Sequence, residues 1–232
     1  MIRGKSITLV VPAHNEETGL PHVLRQVPGE VDQVIVVDNC STDGTSRIAA
    51  DFGCRVVNQP LKGYGHAYQA GFRAVESDLI VTADADGTYP VDRISSLVEI
   101  LLEEQLDFIS CRRKPDDHAG NLNNVMRFTG NFVLSAFNML LFWHYIRDSQ
   151  SGMWVFHRDI LDRIKLTSGG MAFSEELKIE VWSLSDIKCR EVNIPFSYSE
   201  RMGKAKLNLW RDGFRNLIFL FAKRLGIPMT RA

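Results

Sequence analysis

Hydrophobic positions along this chain fall in short continuous runs. Residues 6–12 (SITLVVP), 33–38 (QVIVVD), 78–83 (DLIVTA) and 106–111 (LDFISC) are apolar and partly β-branched, the pattern of strands buried on both faces. Residues 55–58 (RVVN) make a weaker, shorter run. Between these lie helical patterns at 16–26, 42–52, 64–76 and 91–104. Ser41 or Thr42 is the expected N-cap of the second helix, and Gly53 its expected close in a left-handed conformation. Strand–helix alternation of this kind predicts βαβ units: an α/β fold with a mostly parallel central sheet flanked by helices.

The second half reads differently. Residues 121–146 predict one long helix rich in apolar and aromatic side chains. Residues 151–157 and 188–198 predict strands, and 158–166 and 174–186 predict helices. A basic loop at 199–206 leads to a terminal amphipathic helix over about 207–225. No internal repeat or low-complexity linker interrupts the chain, so a single domain over 1–232 is expected.

Composition narrows the partners. The chain has 232 residues, 45% of them hydrophobic, enough to bury a substantial core. Lys plus Arg is 27 and Asp plus Glu is 28, a formal net charge of −1. That balance argues against nucleic acid, whose recognition draws on an excess of basic groups. The four cysteines, Cys40, Cys54, Cys111 and Cys189, are scattered without a CxxC pair, which argues against a metal cluster or disulfide framework and fits a reducing cytosol. The N-terminal stretch runs into a polar motif rather than a small-residue cleavage site and reads as no secretory leader. No run reaches the roughly 18–20 apolar residues that span a bilayer. Residues 132–146 and 209–226 suit helices lying in a membrane interface, with core helices as the alternative.

The polar clusters stand at strand ends: PAHNEE after the first strand, DNCSTDGT after the second, DADG after 78–83 and CRRKPDD after 106–111. In open α/β sheets, ligands bind in the crevice beyond the carboxyl ends of the strands. Any one cluster is ordinary turn chemistry; four on one rim suggest a site. Asp84 and Asp86 are two residues apart, so on a strand their side chains point the same way and repel. A divalent cation between them resolves the repulsion, since magnesium commonly takes one or two carboxylates plus substrate phosphates. The alternative is that Asp86 or Thr88 caps the helix near 91.

VVPAHNEE, IVVDNCSTDGT, KGYGHAYQAGF and VTADADGTYP occur here in order and at family-like spacing. Together they resemble the family 2 glycosyltransferases with a GT-A fold. RDSQSGMWVF and SERMGKAKL are similar to the polyprenyl-phosphate (dolichyl-phosphate) glycosyltransferases, and the resemblance covers about residues 5–220. It implies a nucleotide-sugar half over about 1–115 and an acceptor half over about 116–232. Pro12, Ala13, His14, Asn15 and Glu16 would line the nucleoside, Asp38 would bond the base, and Lys62 with Gly63 would lie near base and ribose. Asp84, Ala85 and Asp86 match the element that holds the sugar and the metal-bridged diphosphate. Thr88 stands where many members carry Gln or His, and its hydroxyl would be the third metal ligand. Arg112 matches an arginine near the phosphates. Arg127, Asp148, Arg201 and Lys206 would serve the acceptor phosphate, with Asp148 and Gln150 alternatively capping the preceding helix.

The resemblance thus implies a Mg²⁺- or Mn²⁺-dependent, inverting transfer of a hexose from a nucleotide diphosphate sugar (GDP-mannose, UDP-glucose or UDP-GlcNAc) to a polyprenyl or dolichyl phosphate. It also implies a cytoplasmic chain, peripheral on the cytosolic face of a membrane, with a possible small membrane-protein partner. A lipid phosphate arrives already anionic and needs a cationic clamp, not a base. The rival is a hydroxyl acceptor, for which Glu175 or Glu176 would be the base, although both are also ordinary first-turn acids of a helix. A non-catalytic nucleotide-binding protein and a nucleotidyltransferase are the remaining alternatives. Intact Asp84 and Asp86 speak against the first, and AHNEE in place of a Gly-rich basic loop against the second.

Overall fold

Among the described residues seven strands form one mixed sheet: β1 (Ile7–Ala13), β2 (Gln33–Asp38), β3 (Arg55–Asn58), β4 (Leu79–Thr82), β5 (Phe108–Pro115), β6 (Trp154–His157) and β7 (Cys189–Phe196), in the order β3-β2-β1-β4-β6-β5-β7. The computed structural model describes residues 1–115, 122–196 and 209–227, with side chains described throughout these except at 115, 122–128 and 209–212. β1 pairs in parallel with β2 and β4, β2 with β3, and β5 with β7. β6 runs antiparallel to both of its neighbours, β4 and β5. The register sets Ala13 opposite Asp38 and Val10 opposite Thr82, so the carboxyl ends of β1, β2 and β4 share one edge.

Among the described residues seven α-helices cover the sheet: α1 (Leu20–Arg25), α2 (Thr45–Asp51), α3 (Tyr64–Ala74), α4 (Ile94–Glu103), α5 (Leu122–Phe142), α6 (Phe173–Trp182) and α7 (Leu209–Arg224). Strand periodicity divides the core. Ile7, Leu9, Val11, Val81 and Ile109 pack one face against Leu20, Val23, Ala49, Leu97 and Leu101 of α1, α2 and α4. Val10, Ile35, Val37, Ile80 and Phe156 pack the other against Tyr68, Phe72, Phe173 and Leu177 of α3 and α6. Each such aliphatic or aromatic side chain contributes about 1.5–3 kcal/mol on full burial. α5 and α7 pack beside α6 through Leu134, Ile179 and Leu220, with the Phe137 and Phe221 rings 5.7 Å apart.

β2 and β3 match their sequence expectation, and β1 and β4 differ only at their ends. The first helix starts at 20, not 16, because residues 16 and 17 are engaged in a loop: the Glu16 N–H donates to Thr45 Oγ1 at 2.8 Å and the Glu17 N–H to Asp43 Oδ2 at 3.2 Å. Neither Ser41 nor Thr42 caps α2. Asp43 Oδ1 takes the Thr45 N–H at 3.0 Å, while the Thr42 N–H is spent on Asn15 Oδ1 at 2.7 Å. Gly53 closes α2 at φ 76°, a conformation that costs glycine little. The strand expected at 106–111 runs over 108–115, because β7 pairs with it from Phe108 to Pro115. Arg112 and Arg113 are therefore strand residues, not turn residues. Residues 158–166 give only a 3₁₀ turn, Arg158–Asp162. The long helix ends at Phe142, where Trp143 takes a left-handed φ of 63°.

Candidate active site

The rim at the ends of β1, β2 and β4 is knitted together by side chains. Asn15 stands at a left-handed φ of 52°; its N–H donates to Ser41 Oγ at 3.0 Å. Asp38 Oδ1 accepts the Ser41 N–H at 2.9 Å, and its Oδ2 accepts from the Ser46 hydroxyl. Burial pushes the Asp38 carboxyl up, but these serine hydrogen bonds outweigh it and hold it below its ordinary value. Asn39, which sequence reasoning passed over, organises the next turn. Its Nδ2 donates to the Gln59 and Leu61 carbonyls, and its Oδ1 takes the Gly63 N–H at 2.7 Å. Lys62 projects from that turn, exposed. Pro12, His14 and Glu16 are half-buried along the same edge, with Ala13 buried and Asn15 exposed.

β4 delivers Asp84 and Asp86 to this rim. Asp84 is half-buried, and its Oδ1 accepts the Tyr64 hydroxyl at 3.1 Å. Asp86 is 5% exposed, and its Oδ1 accepts both the N–H and the hydroxyl of Thr88, at 3.1 and 2.6 Å. The local turn is thus built on Asp86, with Gly87 at φ 80°, and neither Asp86 nor Thr88 caps α4. The Thr88 hydroxyl acts as a donor to Asp86. Among the described residues no group of three or more His, Cys, Asp or Glu side chains is arranged to hold a metal. The two carboxylates still offer hard oxygen donors of the kind Mg²⁺ and Mn²⁺ take, with substrate oxygens and water completing the shell.

Beneath Asp84 the backbone of Gly152 is clamped by three hydrogen bonds. Its carbonyl accepts the Thr82 hydroxyl at 2.8 Å and the Tyr68 hydroxyl at 3.2 Å, and its N–H donates to Tyr89 Oη at 2.8 Å. A Cβ at this position would collide with Tyr64 Oη and touch Asp84 Oδ1 at 3.4 Å. Burial pushes all three tyrosine hydroxyls up, and the neighbouring Asp84 charge adds to it. They stay protonated and neutral.

Behind this floor lies a buried ionic cluster. Arg113 donates from Nε to Asp148 Oδ2 and from Nη2 to Asp148 Oδ1, both at 2.8 Å, and its backbone N–H adds a third bond at 3.0 Å. Burial pushes the Asp148 carboxyl up, but the Arg113 charge and hydrogen bonds, with Lys178, prevail and hold it at about 2. The carboxylate expected to meet acceptor is therefore engaged with Arg113. Lys178 Nζ, fully buried, donates to the Asp148 and Ser151 carbonyls at 2.6 and 3.0 Å. Burial pushes it down to about 8 against the opposing Asp148 charge. Glu191 takes the backbone N–H groups of Arg147 and Asp148, both at 3.0 Å.

Glu175 and Glu176 do occupy the first turn of α6, but neither faces water. Glu176 Oε2 accepts the Thr167 and Ser168 N–H groups, and Oε1 accepts the Thr167 hydroxyl and Lys223 Nζ. Both Glu175 carboxyl oxygens are buried without a hydrogen-bond partner. Burial pushes this group up to about 8, opposed in part by Lys178.

Arg112 is half-buried on β5, and Gln150 Oε1 accepts Asn216 Nδ2 of α7 at 2.8 Å. Arg201 and Lys206 lie outside the described residues, as does the side chain of Arg127. On the outer surface Phe132, Leu140 and Trp143 (83% exposed) stand out from α5 and its end, with Phe214, Ile218 and Leu225 from α7 and its end. No described helix is long and apolar enough to cross a membrane.

The sequence profile of glycosyl transferase family 2 matches residues 8–165. A dolichyl-phosphate hexose transferase of Haloferax volcanii is 30% identical over 212 residues, covering 89% of each chain. A low-salt glycan biosynthesis hexosyltransferase of the same organism is 30% identical over 227 residues, covering 95% of this chain but 54% of its own. The chain thus spans about half the length of several of the curated relatives it matches. Among solved structures, glucosyl-3-phosphoglycerate synthase from Mycobacterium tuberculosis in complex with Mn²⁺, UDP and phosphoglyceric acid aligns with a TM-score of 0.76 at 25% identity, covering 98% of this chain and 81% of that one. The same enzyme with Mg²⁺ and UDP aligns at 0.71 and 24% identity, covering 98% and 82%.

Proposed function

The chain belongs to glycosyltransferase family 2, with the GT-A fold, and on that premise we propose that it moves a hexose from a nucleoside diphosphate sugar to a polyprenyl or dolichyl phosphate with inversion at the anomeric carbon. The observation that carries the proposal is the carboxylate pair Asp84 and Asp86 at the end of β4, each oriented by its own hydroxyl donor. These two side chains would hold Mg²⁺ or Mn²⁺; a structural neighbour is solved with either ion and UDP. When bound, the ion supplies Lewis-acid stabilisation of the charge that develops on the departing diphosphate.

The protein's own groups do the rest. Residues 12–16, Asp38 and the Lys62 turn form the nucleoside edge, and Arg112 faces the phosphates with charge-assisted donors. On the acceptor side, Asp148 acts through Arg113, whose guanidinium it fixes. Arg127, Arg201 and Lys206 would bring the lipid phosphate against the repulsion of the diphosphate. That phosphate arrives deprotonated, so no side chain has to remove a proton from it. The exposed apolar side chains of α5 and α7, with exposed Arg224 ending α7, suit a helix pair resting in a membrane interface. One sheet runs through both halves of the chain, which supports reading them as a single catalytic domain.

A hydroxyl acceptor is the second reading, with Glu175 as its base; because burial holds the Glu175 proton up to about 8, such transfer would rise as pH passes through that value. Glu176 is already engaged by four donors.

The test is a transfer assay with Mg²⁺ or Mn²⁺, a panel of nucleotide sugars and a short polyprenyl phosphate. Wild-type protein transfers sugar to the lipid; Asp86→Asn loses transfer; a paired Arg201→Ala and Lys206→Ala variant loses transfer but keeps donor binding. Transfer that survives loss of both Asp side chains would sink the site assignment. Absence of flotation with anionic liposomes would sink the membrane contact.

A further inference from the structure

α3 begins beside the donor site, and its first-turn N–H groups have no partners within the helix. They are met from another part of the chain. The Gly65 N–H donates to the Gly170 carbonyl at 3.2 Å and the His66 N–H to the Gly169 carbonyl at 3.1 Å, while Gln69 Nε2 donates to the Ser168 carbonyl at 2.8 Å. The approach is so close that a Cβ on Gly65 would overlap the Ser168 carbonyl. Two successive carbonyls, Gly169 and Gly170, therefore cap α3, and the one before them, Ser168, takes the Gln69 side chain. What holds them is Glu176, 1% exposed, whose carboxylate gathers the Thr167 N–H at 2.9 Å, the Thr167 hydroxyl at 2.8 Å and the Ser168 N–H at 2.7 Å. The same carboxylate receives Lys223 Nζ of α7 at 3.3 Å; Lys223 also pairs with Glu180 at 2.8 Å. At the other end of the path, Tyr64 is the first residue of α3 and bonds Asp84.

We propose that Glu176 is a positioning residue for donor binding: it holds the 168–170 carbonyls against the start of α3, sets Tyr64 against Asp84, and ties that arrangement to α7. The inference rests on the reading of Asp84 and Asp86 as the donor and metal site. Its consequence is coupling. Whatever seats α7 shifts the Glu176 carboxylate, the 168–170 carbonyls and Tyr64 as one connected set, so engagement of α7 and donor affinity change together, and reciprocally.

Two measurements test it on the full chain. Amide hydrogen exchange of the protein without ligand reads the contact directly. Glu176→Gln accelerates exchange at Gly65 and His66 several-fold while amides of β1 and β2 keep their protection. Lys223→Met, which cuts only the α7 arm, gives a smaller acceleration at the same two amides and serves if Glu176→Gln does not fold. Titration with Mn²⁺ and UDP or GDP, whichever wild type binds, reads the consequence. Glu176→Gln weakens binding about 5- to 10-fold and Tyr64→Phe weakens it less. The double variant is no weaker than Glu176→Gln, because the two act along one path. A purely structural Glu176 would lower the melting temperature and leave these affinities unchanged. Exchange at Gly65 and His66 that matches wild type, or fully additive losses in the double variant, overturns the proposal. Wild type that binds neither Mn²⁺ nor nucleotide overturns the donor-site reading, and this inference with it, whereas normal wild-type binding with an unaffected Glu176→Gln overturns this inference only.

Discussion

Replacing Asp148 by Asn removes one charge from a cluster that also holds Arg113 and Lys178, and its cost follows from the geometry. Asp148 is 3% exposed and takes three hydrogen bonds from Arg113. Its carboxyl is held at about 2 against an ordinary 3.8, which by itself is worth on the order of 2 kcal/mol. That figure counts only the ionisation of Asp148. Breaking a buried pair also strands its partner, and measured losses run about 3–5 kcal/mol. The Asn amide oxygen keeps one of the Arg113 bonds, so the expected loss is about 2–4 kcal/mol, or roughly 5–15 °C in melting temperature for a chain of this size. The sign with pH is fixed by a folded value below the unfolded one. The stabilisation is full above about 4 and disappears as pH falls through about 2. Urea unfolding followed by the fluorescence of buried Trp154 measures both. A loss under 1 kcal/mol at pH 7, or a gap between wild type and Asp148→Asn that stays constant down to pH 3 and below, would refute the reasoning.

Gly152→Ala drives a methyl group into Tyr64 Oη beside Asp84, so a stability loss of about 1–3 kcal/mol is expected together with a raised donor KM; an unchanged KM counts against Gly152 as the floor of the site. Glu175→Gln behaves in the opposite sense. The folded chain keeps the Glu175 proton up to about 8, whereas the unfolded chain releases it near 4.5, so wild type loses stability as pH rises through that window and the variant does not. Its melting temperature relative to wild type rises between pH 5 and pH 8, and a pH-independent difference would contradict the assignment. The same variant also separates the two acceptor readings, since only a hydroxyl acceptor loses transfer with it.

How far these features were legible in the sequence depends on the range of the interaction behind them. Gln33–Asp38 and Arg55–Asn58 could be read to the residue, because an apolar β-branched run bounded by polar turns depends on its own composition. The rim at 12–16, 38 and 84–86 followed from the parallel register those strands impose. The Arg113–Asp148 pair joins residues 35 apart on different elements, and Lys223 reaches Glu176 across 47; no local pattern announces such partners. α6 shows the difficulty most clearly. Glu175, Glu176 and Lys178 look like the wet face of an amphipathic helix, yet all three are buried because α5, α7 and the loops at 148–151 and 167–168 close over them. The strand read at 151–157 is present over 154–157, but its antiparallel sense was not visible, since it depends on pairing with β4 and β5, far away in the chain.

The placement of rigidity follows from the charge problem posed by Asp84 and Asp86. Two like charges close together in an effective dielectric of about 20 repel by an amount on the order of a few kcal/mol. Donors on charged acceptors return about 1.5–3 kcal/mol each, and here each carboxylate has one from a hydroxyl, Tyr64 for Asp84 and Thr88 for Asp86. These donors offset the repulsion without removing the charges, so the pair keeps its attraction for a cation. A mobile tyrosine would forfeit that balance, since its hydroxyl would turn to water whenever it swung away. Tyr64 is kept in place from two directions, by edge-on packing on the buried Tyr68 ring, 4.8 Å between centroids, and by the loop capping the helix it begins. On this argument Gly152 with its three hydrogen bonds and Glu176, both late in the chain, hold in place two carboxylates that stand at the end of β4.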